Sequence, residues 1–280
     1  MHALEALLLG VVQGLTEFLP VSSSGHLILV PWLGDFHYLK DHPVFNKTFD
    51  VALHLGTLVG VIAYFRVEVV ALIRGALSAL RKRAIETAAE RLAAMVAIAC
   101  LPAAVVGAAG QDFIDRKLGD PWQIAILLAV FGLVLAYADR RPERRHMESV
   151  RTRDALIVGA AQAVSLAPGV SRSGITISAS RFLGLDRDSA ARFSFLLLVP
   201  VTAGAVLVKG VGVVHDGLPD GVAGPMAIGV VAAAISGYAA IAWMLAFVRR
   251  RSYEVFVGYR LVVALAVFAI IAADLRPSTF

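Results

Sequence analysis

The chain has 280 residues, of which 58% are hydrophobic and only 17% charged, where soluble domains average about 25% charged. That leaves too little polar surface to cover a soluble fold of this size. The same hydrophobicity excludes disorder, and a single cysteine, Cys100, excludes an intramolecular disulfide framework. The net charge of +5 does not point to nucleic acid, because the Lys and Arg residues sit between apolar stretches, as membrane topology signals do. The chain reads as an all-α integral membrane protein with membrane lipid, not nucleic acid, as its surroundings.

The first element, residues 3–34, is apolar but interrupted at Pro20-Val-Ser-Ser-Ser-Gly25. Residues Met1 to Leu9 lack a basic leader region and no small-residue cleavage site follows, so the segment is expected to remain as structure. Six stretches then reach the ~17–25 residues a spanning helix needs: about 49–65, 92–110, 122–138, 191–214, 226–248 and 258–275. Between the third and the fourth lies 154–185, apolar but interrupted at Pro168-Gly-Val-Ser-Arg-Ser-Gly174.

The connections alternate in charge. Arg66, Arg74, Arg81, Lys82, Arg83 and Arg91 follow the first span, six arginines between Arg140 and Arg153 follow the third, and Arg249, Arg250 and Arg251 follow the fifth. Cytoplasmic loops carry such an excess, so residues 35–48, 111–121 and 215–225, and both termini, are expected outside. This count makes 3–34 begin and end outside and 154–185 begin and end inside. Each arm has about 9–15 residues, which at ~1.5 Å per residue crosses roughly half of a ~30 Å core. The expectation is six transmembrane helices plus two re-entrant helical hairpins within one membrane domain spanning 1–280.

Residues 6–25 align without a gap onto 155–174: Gly10 onto Gly159, Gln13 onto Gln162, Val21-Ser22 onto Val170-Ser171, and Ser24-Gly25 onto Ser173-Gly174. Three spans, an odd number, separate the copies, so the second is inverted. Repeat one covers about 3–138 and repeat two about 154–275. Inverted repeats with broken helices place a polar site near the bilayer midplane.

Polar groups at that depth are costly and mark function. Gln13 and Glu17, four residues apart, share a helix face, and Glu17 reads as a metal ligand or general base, or more plainly as a helix-end carboxylate. Ser22, Ser23, Ser24 and Gly25 open a helix just before His26. Such an N-terminus suits phosphate, although a serine N-cap is the simpler use of these residues. Ser171, Arg172, Ser173 and Gly174 form the matching tip. The fork of donors on Arg172 fits a phosphate or a carboxylate, and a salt bridge to Glu17 would itself bring the two tips together. Asp50, His54 and Thr57, on one side of the first span, are weaker candidates for the cavity border. Together these groups describe a site that handles a lipid-linked phosphate or diphosphate.

At these residues the sequence resembles the undecaprenyl-diphosphate phosphatase family, the bacitracin-resistance proteins. Gln13-Gly-Leu-Thr-Glu17, Pro20-Val-Ser-Ser-Ser-Gly-His26, Pro168-Gly-Val-Ser-Arg-Ser-Gly174 and Ala190-Ala-Arg192-Phe-Ser-Phe-Leu196 carry the likeness, which runs over about 3–275. The resemblance implies hydrolysis of the C55 isoprenoid diphosphate, a divalent cation (Mg²⁺ or Ca²⁺) and a site open to the outer face of a bacterial plasma membrane. It makes Glu17 the essential acid, Ser23 the nucleophile and His26 its acid–base partner. Ser22, Ser24, Gly25, Ser171, Arg172, Ser173 and Gly174 would bind the diphosphate. Gln13 stands where the family has Glu or Gln, so a second carboxylate for the metal is missing and Gln13 is the candidate second contact beside Glu17. A second phosphatase superfamily also uses Ser-Gly-His and Ser-Arg, but needs a histidine where Ser178 stands here. The rival from another class is a transporter that moves the lipid phosphate across the bilayer. Oligomeric state is open, and a homo-oligomer is compatible with the sequence.

Overall fold

A computed structural model describes the backbone of residues 1–216, 219 and 221–279, so part of the 215–225 connection lies outside the described residues. Twelve α-helices and no β-strand occur among the described residues. They are α1 (Ala3–Phe18), α2 (Ser23–Gly34), α3 (His37–Asp41), α4 (Pro43–Tyr64), α5 (Arg66–Lys82), α6 (Ala88–Lys117), α7 (Pro121–Asp139), α8 (Thr152–Val164), α9 (Arg172–Phe182), α10 (Arg187–Asp216), α11 (Ala223–Val248) and α12 (Glu254–Ala272).

Five of these helices are long and apolar enough to cross a membrane: α6 over Ala88–Gly110, α7, α10 over Arg187–Val208, α11 and α12. A sixth is reached if α4 and α5, bent by 91° at Phe65, count as one span. The chain is thus a multi-pass membrane protein, with large apolar side chains such as Leu101, Val105, Leu207, Val262 and Leu265 left exposed along the spans for lipid.

The basic stretch 66–82, expected as a loop, is instead helix α5. Its charges hide an apolar row at Val67, Val70, Ile73, Leu77 and Leu80, spaced three or four apart and exposed, the period of an amphipathic helix. Span starts otherwise fall one to six residues before the expected positions, while the last span ends at Ala272, short of the expected 275; polar caps extend the helix starts. One example is the box at the start of α6, where the Thr87 hydroxyl accepts from Glu90 N–H and the Glu90 carboxylate accepts from Thr87 N–H.

The two interrupted segments each fold as a pair of short helices. α1 and α2 have 16 and 12 residues, α8 and α9 have 13 and 11. At each break a serine adopts φ +76°, Ser22 in the first and Ser171 in the second. That region is unfavourable for a residue with a Cβ and costs about 1–3 kcal/mol. In both cases the serine hydroxyl caps the following helix, accepting from Gly25 N–H and Gly174 N–H.

The first arm of each pair packs tightly on a span. A Cβ added to Gly10 of α1 would run into the Gly229 carbonyl of α11, and one on Gly159 of α8 would lie 2.5 Å from the Ala99 carbonyl oxygen of α6. Small residues that let backbones touch are the main device of helix association in lipid. Beside the first break, Phe18 meets Phe195 of α10 edge to face at 5.4 Å and anchors the largest apolar cluster. Gly159→Val should therefore push α8 off α6. A clear drop in the melting midpoint of purified protein is expected, whereas unchanged melting would mean the two helices are not in backbone contact.

Candidate active site at the two helix breaks

The site follows from where α1 is forced to stop. Gln13 and Glu17 lie one turn apart, and Gln13 Nε2 donates to Glu17 Oε2 at 3.1 Å. Pro20, lacking an N–H, cannot continue the helix, so the chain turns through Leu19–Val21 and returns as α2 with Ser23 beside Glu17. The Ser23 hydroxyl donates to Glu17 Oε2 at 2.6 Å. From the other break Arg172, the first residue of α9, donates through one terminal nitrogen to Glu17 Oε1 at 3.0 Å. Its other terminal nitrogen donates to the Ser194 carbonyl of α10 at 2.7 Å. The salt bridge between the two tips is therefore present.

A fourth neighbour comes from α4. His54 Nε2 lies 3.6 Å from Glu17 Oε2, while its Nδ1 lies 2.7 Å from the Asp50 carbonyl. A carbonyl only accepts, so Nδ1 carries a proton, and the contact with Glu17 is an ion pair when the ring is protonated. The Thr57 hydroxyl donates to the His54 carbonyl at 2.9 Å and is fully buried. It supports α4 without touching the site, and Asp50 enters through its backbone. Glu17, 6% exposed, is the point on which Gln13, Ser23, His54 and Arg172 converge.

The other tip residues tie backbone to backbone. The Ser22 hydroxyl accepts from Gly169 N–H of the second break at 3.1 Å, and the Ser173 hydroxyl donates to the Leu19 carbonyl of the first at 3.0 Å. The Ser171 hydroxyl lies 3.2 Å from that of Ser173. Ser22, Gly25, Ser171, Ser173 and Gly174 are buried, while Ser23, Ser24 and Arg172 keep partial exposure.

His26 faces away from this centre. Its Nδ1 lies 2.7 Å from the Ser22 carbonyl and its Nε2 2.7 Å from the Tyr259 hydroxyl of α12. Among the described residues it makes no hydrogen bond to Ser23, Glu17 or Arg172. Glu17 is thus the carboxylate that accepts the Ser23 hydrogen bond, and His54 the imidazole beside Glu17.

Among the described residues no group of three or more His, Cys, Asp or Glu gathers as a metal site. Gln13 Oε1, however, is buried without a hydrogen-bond partner beside Glu17. An amide oxygen and a carboxylate are hard donors of the kind Mg²⁺ and Ca²⁺ take, and Mg²⁺ commonly uses one or two carboxylates plus substrate phosphates. The donor chemistry of these two residues suits such an ion, although it is the Gln13 amide nitrogen that faces Glu17.

Sequence reasoning missed Arg260 of α12. It is fully buried and donates to five backbone carbonyls: Leu128 at 2.9 Å, Leu127 at 3.3 Å, Pro20 at 3.1 Å, Gly169 at 3.0 Å and Val170 at 3.1 Å. One guanidinium thus clasps both breaks and α7, and no carboxylate pairs with it among the described residues. A lone arginine in an apolar span was the available signal, masked by its place near the start of the stretch, where it reads as a boundary cation.

Fold and site together define a multi-pass membrane protein with a buried carboxylate, and a partly exposed guanidinium and hydroxyl beside it, where two broken helices meet. The sequence profile described as "Bacitracin resistance protein BacA" matches residues 6–266. The chain is 44% identical over 273 residues to the "Undecaprenyl-diphosphatase" of Pelobacter propionicus, covering 97% of this chain and 98% of that one. It is 45% identical to the protein of that name from Geobacter metallireducens (97% and 99% covered) and 44% to that from Geobacter sulfurreducens (98% and 100%). The chain belongs to the bacitracin resistance protein BacA family.

Replacing Arg260 by Met keeps bulk but leaves the break carbonyls without a donor, at about 1–3 kcal/mol for each group left unsatisfied. Arg260→Met should melt well below wild type, and wild-type stability would show that the clasp carries no energy.

Proposed function

We propose that the chain is a membrane phosphatase that hydrolyses undecaprenyl diphosphate to undecaprenyl phosphate and inorganic phosphate. In a bacterial plasma membrane this recycles the lipid carrier of peptidoglycan synthesis and confers resistance to bacitracin. The names of its full-length relatives support the activity. The observation that carries it in this chain is the contact of Ser23 Oγ with Glu17 Oε2 at 2.6 Å while Arg172 holds the other carboxylate oxygen at 3.0 Å. A nucleophile, its base and an anion-binding cation share one point, the constellation phosphoryl transfer needs.

In this reading the terminal phosphate sits against Arg172, Ser24 and the N–H groups that open α2 and α9. Either the Ser23 oxygen attacks the terminal phosphorus, the bond to the bridging oxygen breaks, isoprenyl monophosphate leaves and water later hydrolyses the phosphoserine, or Ser23 orients the attacking water. In both routes the proton of the attacking hydroxyl passes to Glu17 Oε2. The approach of His54 to Glu17 supports it as the group that shares that proton. Gln13 Oε1 and Glu17 would hold a Mg²⁺ or Ca²⁺ ion, which neutralises phosphate charge when bound.

The two helix pairs are read as re-entrant hairpins of an inverted repeat, within one membrane domain. Three equivalences support this: Ser22 and Ser171 share their backbone angle and cap, Gly10 and Gly159 share their close packing, and the arms are too short to span. With the basic connections in the cytoplasm, the first hairpin enters from outside and the second from inside, and both termini lie outside.

The test is inorganic phosphate release from a long-chain isoprenyl diphosphate by purified protein, with and without EDTA, beside Ser23→Ala and Glu17→Ala. Release that needs a divalent ion and falls at least a hundredfold in both variants is expected. A folded wild-type protein that releases none would defeat the phosphatase and leave lipid transport as the reading of the broken-helix architecture.

A further inference from the structure

His26 stands three residues from Ser23, yet both its ring nitrogens are engaged elsewhere. Nδ1 faces the Ser22 carbonyl at 2.7 Å. A carbonyl has no hydrogen to give, so Nδ1 carries the proton and the neutral ring leaves Nε2 as an acceptor. The only hydroxyl at Nε2 among the described residues is that of Tyr259, at 2.7 Å, which donates to it. The two rings also stack, with centroids 5.6 Å apart and planes 14° from parallel. His26 is buried, whereas Tyr259 is 45% exposed.

The residue at the far end of this chain of contacts is the strained one. Ser22, whose carbonyl accepts from the His26 backbone N–H at 3.1 Å and from its ring, is the serine at φ +76°, and the next residue, Ser23, donates to Glu17. Helix α12 grips the same break a second time one residue later, through Arg260 to the Pro20 carbonyl at 3.1 Å. The backbone on both sides of Val21 is therefore fixed from one helix, directly on one side and through His26 on the other.

We propose that Tyr259 is a positioning residue for the reaction: its hydroxyl fixes the His26 ring, and through the Ser22 carbonyl that ring holds Ser23 in line with Glu17. The inference rests on the reading of Ser23 as the group that attacks or orients water. It assigns His26 a supporting place, with Tyr259 as the origin of its orientation. An aromatic residue on an apolar span otherwise reads as an ordinary membrane-interface side chain, which would act on nothing in the site.

The experiment compares wild type, Tyr259→Phe, His26→Gln and the double variant in phosphate release from the isoprenyl diphosphate, with melting midpoints for all four. Tyr259→Phe keeps the stacked ring and removes one hydroxyl. A roughly three- to tenfold fall in kcat is expected, the range that one neutral hydrogen bond carries, with KM and melting point little changed. Adding Tyr259→Phe to His26→Gln should cost nothing further, because residues that act through one another are not additive. Full activity in Tyr259→Phe, an equal loss in both backgrounds, or a loss that appears only in KM or only alongside lowered melting would each overturn the proposal. A second readout does not depend on turnover: with ¹⁵N-labelled histidine, the Nε2 resonance that His26→Gln removes should move in Tyr259→Phe. Its failure to move would overturn the proposal even in an active enzyme, whereas a wild type that releases no phosphate but shows the shift would defeat only the phosphatase reading.

Discussion

A carboxylate that is only 6% exposed, in a chain whose outer surface is made for hydrocarbon, needs compensation or it cannot stay ionised. Arg172 supplies it across a sequence separation of 155 residues, at 3.0 Å from Glu17. Removing one member of such a buried pair leaves the other stranded, at about 3–5 kcal/mol. The pair therefore fastens the two helix breaks to each other and holds a guanidinium beside the buried carboxylate. The Ser23 hydroxyl and the His54 ring are arranged around the carboxylate that results.

The surrounding serines and glycines divide the remaining work. Those with positive φ or with hydroxyls on the opposite break, Ser22, Ser171 and Ser173, spend their hydroxyls on backbone that the breaks would otherwise leave unsatisfied: Gly169 N–H, Gly174 N–H and the Leu19 carbonyl. In lipid each such orphan would cost several kcal/mol. Arg260 completes the task with five carbonyls, so that Ser23 and Arg172 spend hydrogen bonds on the Glu17 carboxylate while keeping partial exposure. Rigidity in the backbone and availability in the side chains come from different residues, which is how a polar site survives inside an apolar bundle.

Much of this was readable in the residues. The helix breaks follow from Pro20 and Pro168-Gly169, the pairing of Gln13 with Glu17 from their spacing, and the meeting of the tips from the cost of a lone Arg172. What periodicity could not show were contacts made at long range. The turn of His26 toward Tyr259, the grip of Arg260 on two breaks and the approach of His54 to Glu17 depend on α4 and α12 packing beside residues remote in sequence. Helix α5 escaped for a different reason: its basic residues dominate a charge-based reading, while its exposed apolar row points outward and leaves no core signature. Arg260 was visible as an intramembrane cation but concealed by its position at the edge of a span.

Energetic coupling between Glu17 and Arg172 is what joins the two breaks. The direct measurement is a double-mutant cycle on unfolding free energy in detergent, with Glu17→Gln, Arg172→Gln and the pair. Each single variant should be strongly destabilised and the double variant markedly more stable than their sum predicts, with a coupling of about 2 kcal/mol or more, within the range of residues in one buried network. Additive losses would mean that the two breaks are not joined by this pair, and the site as described here would be wrong.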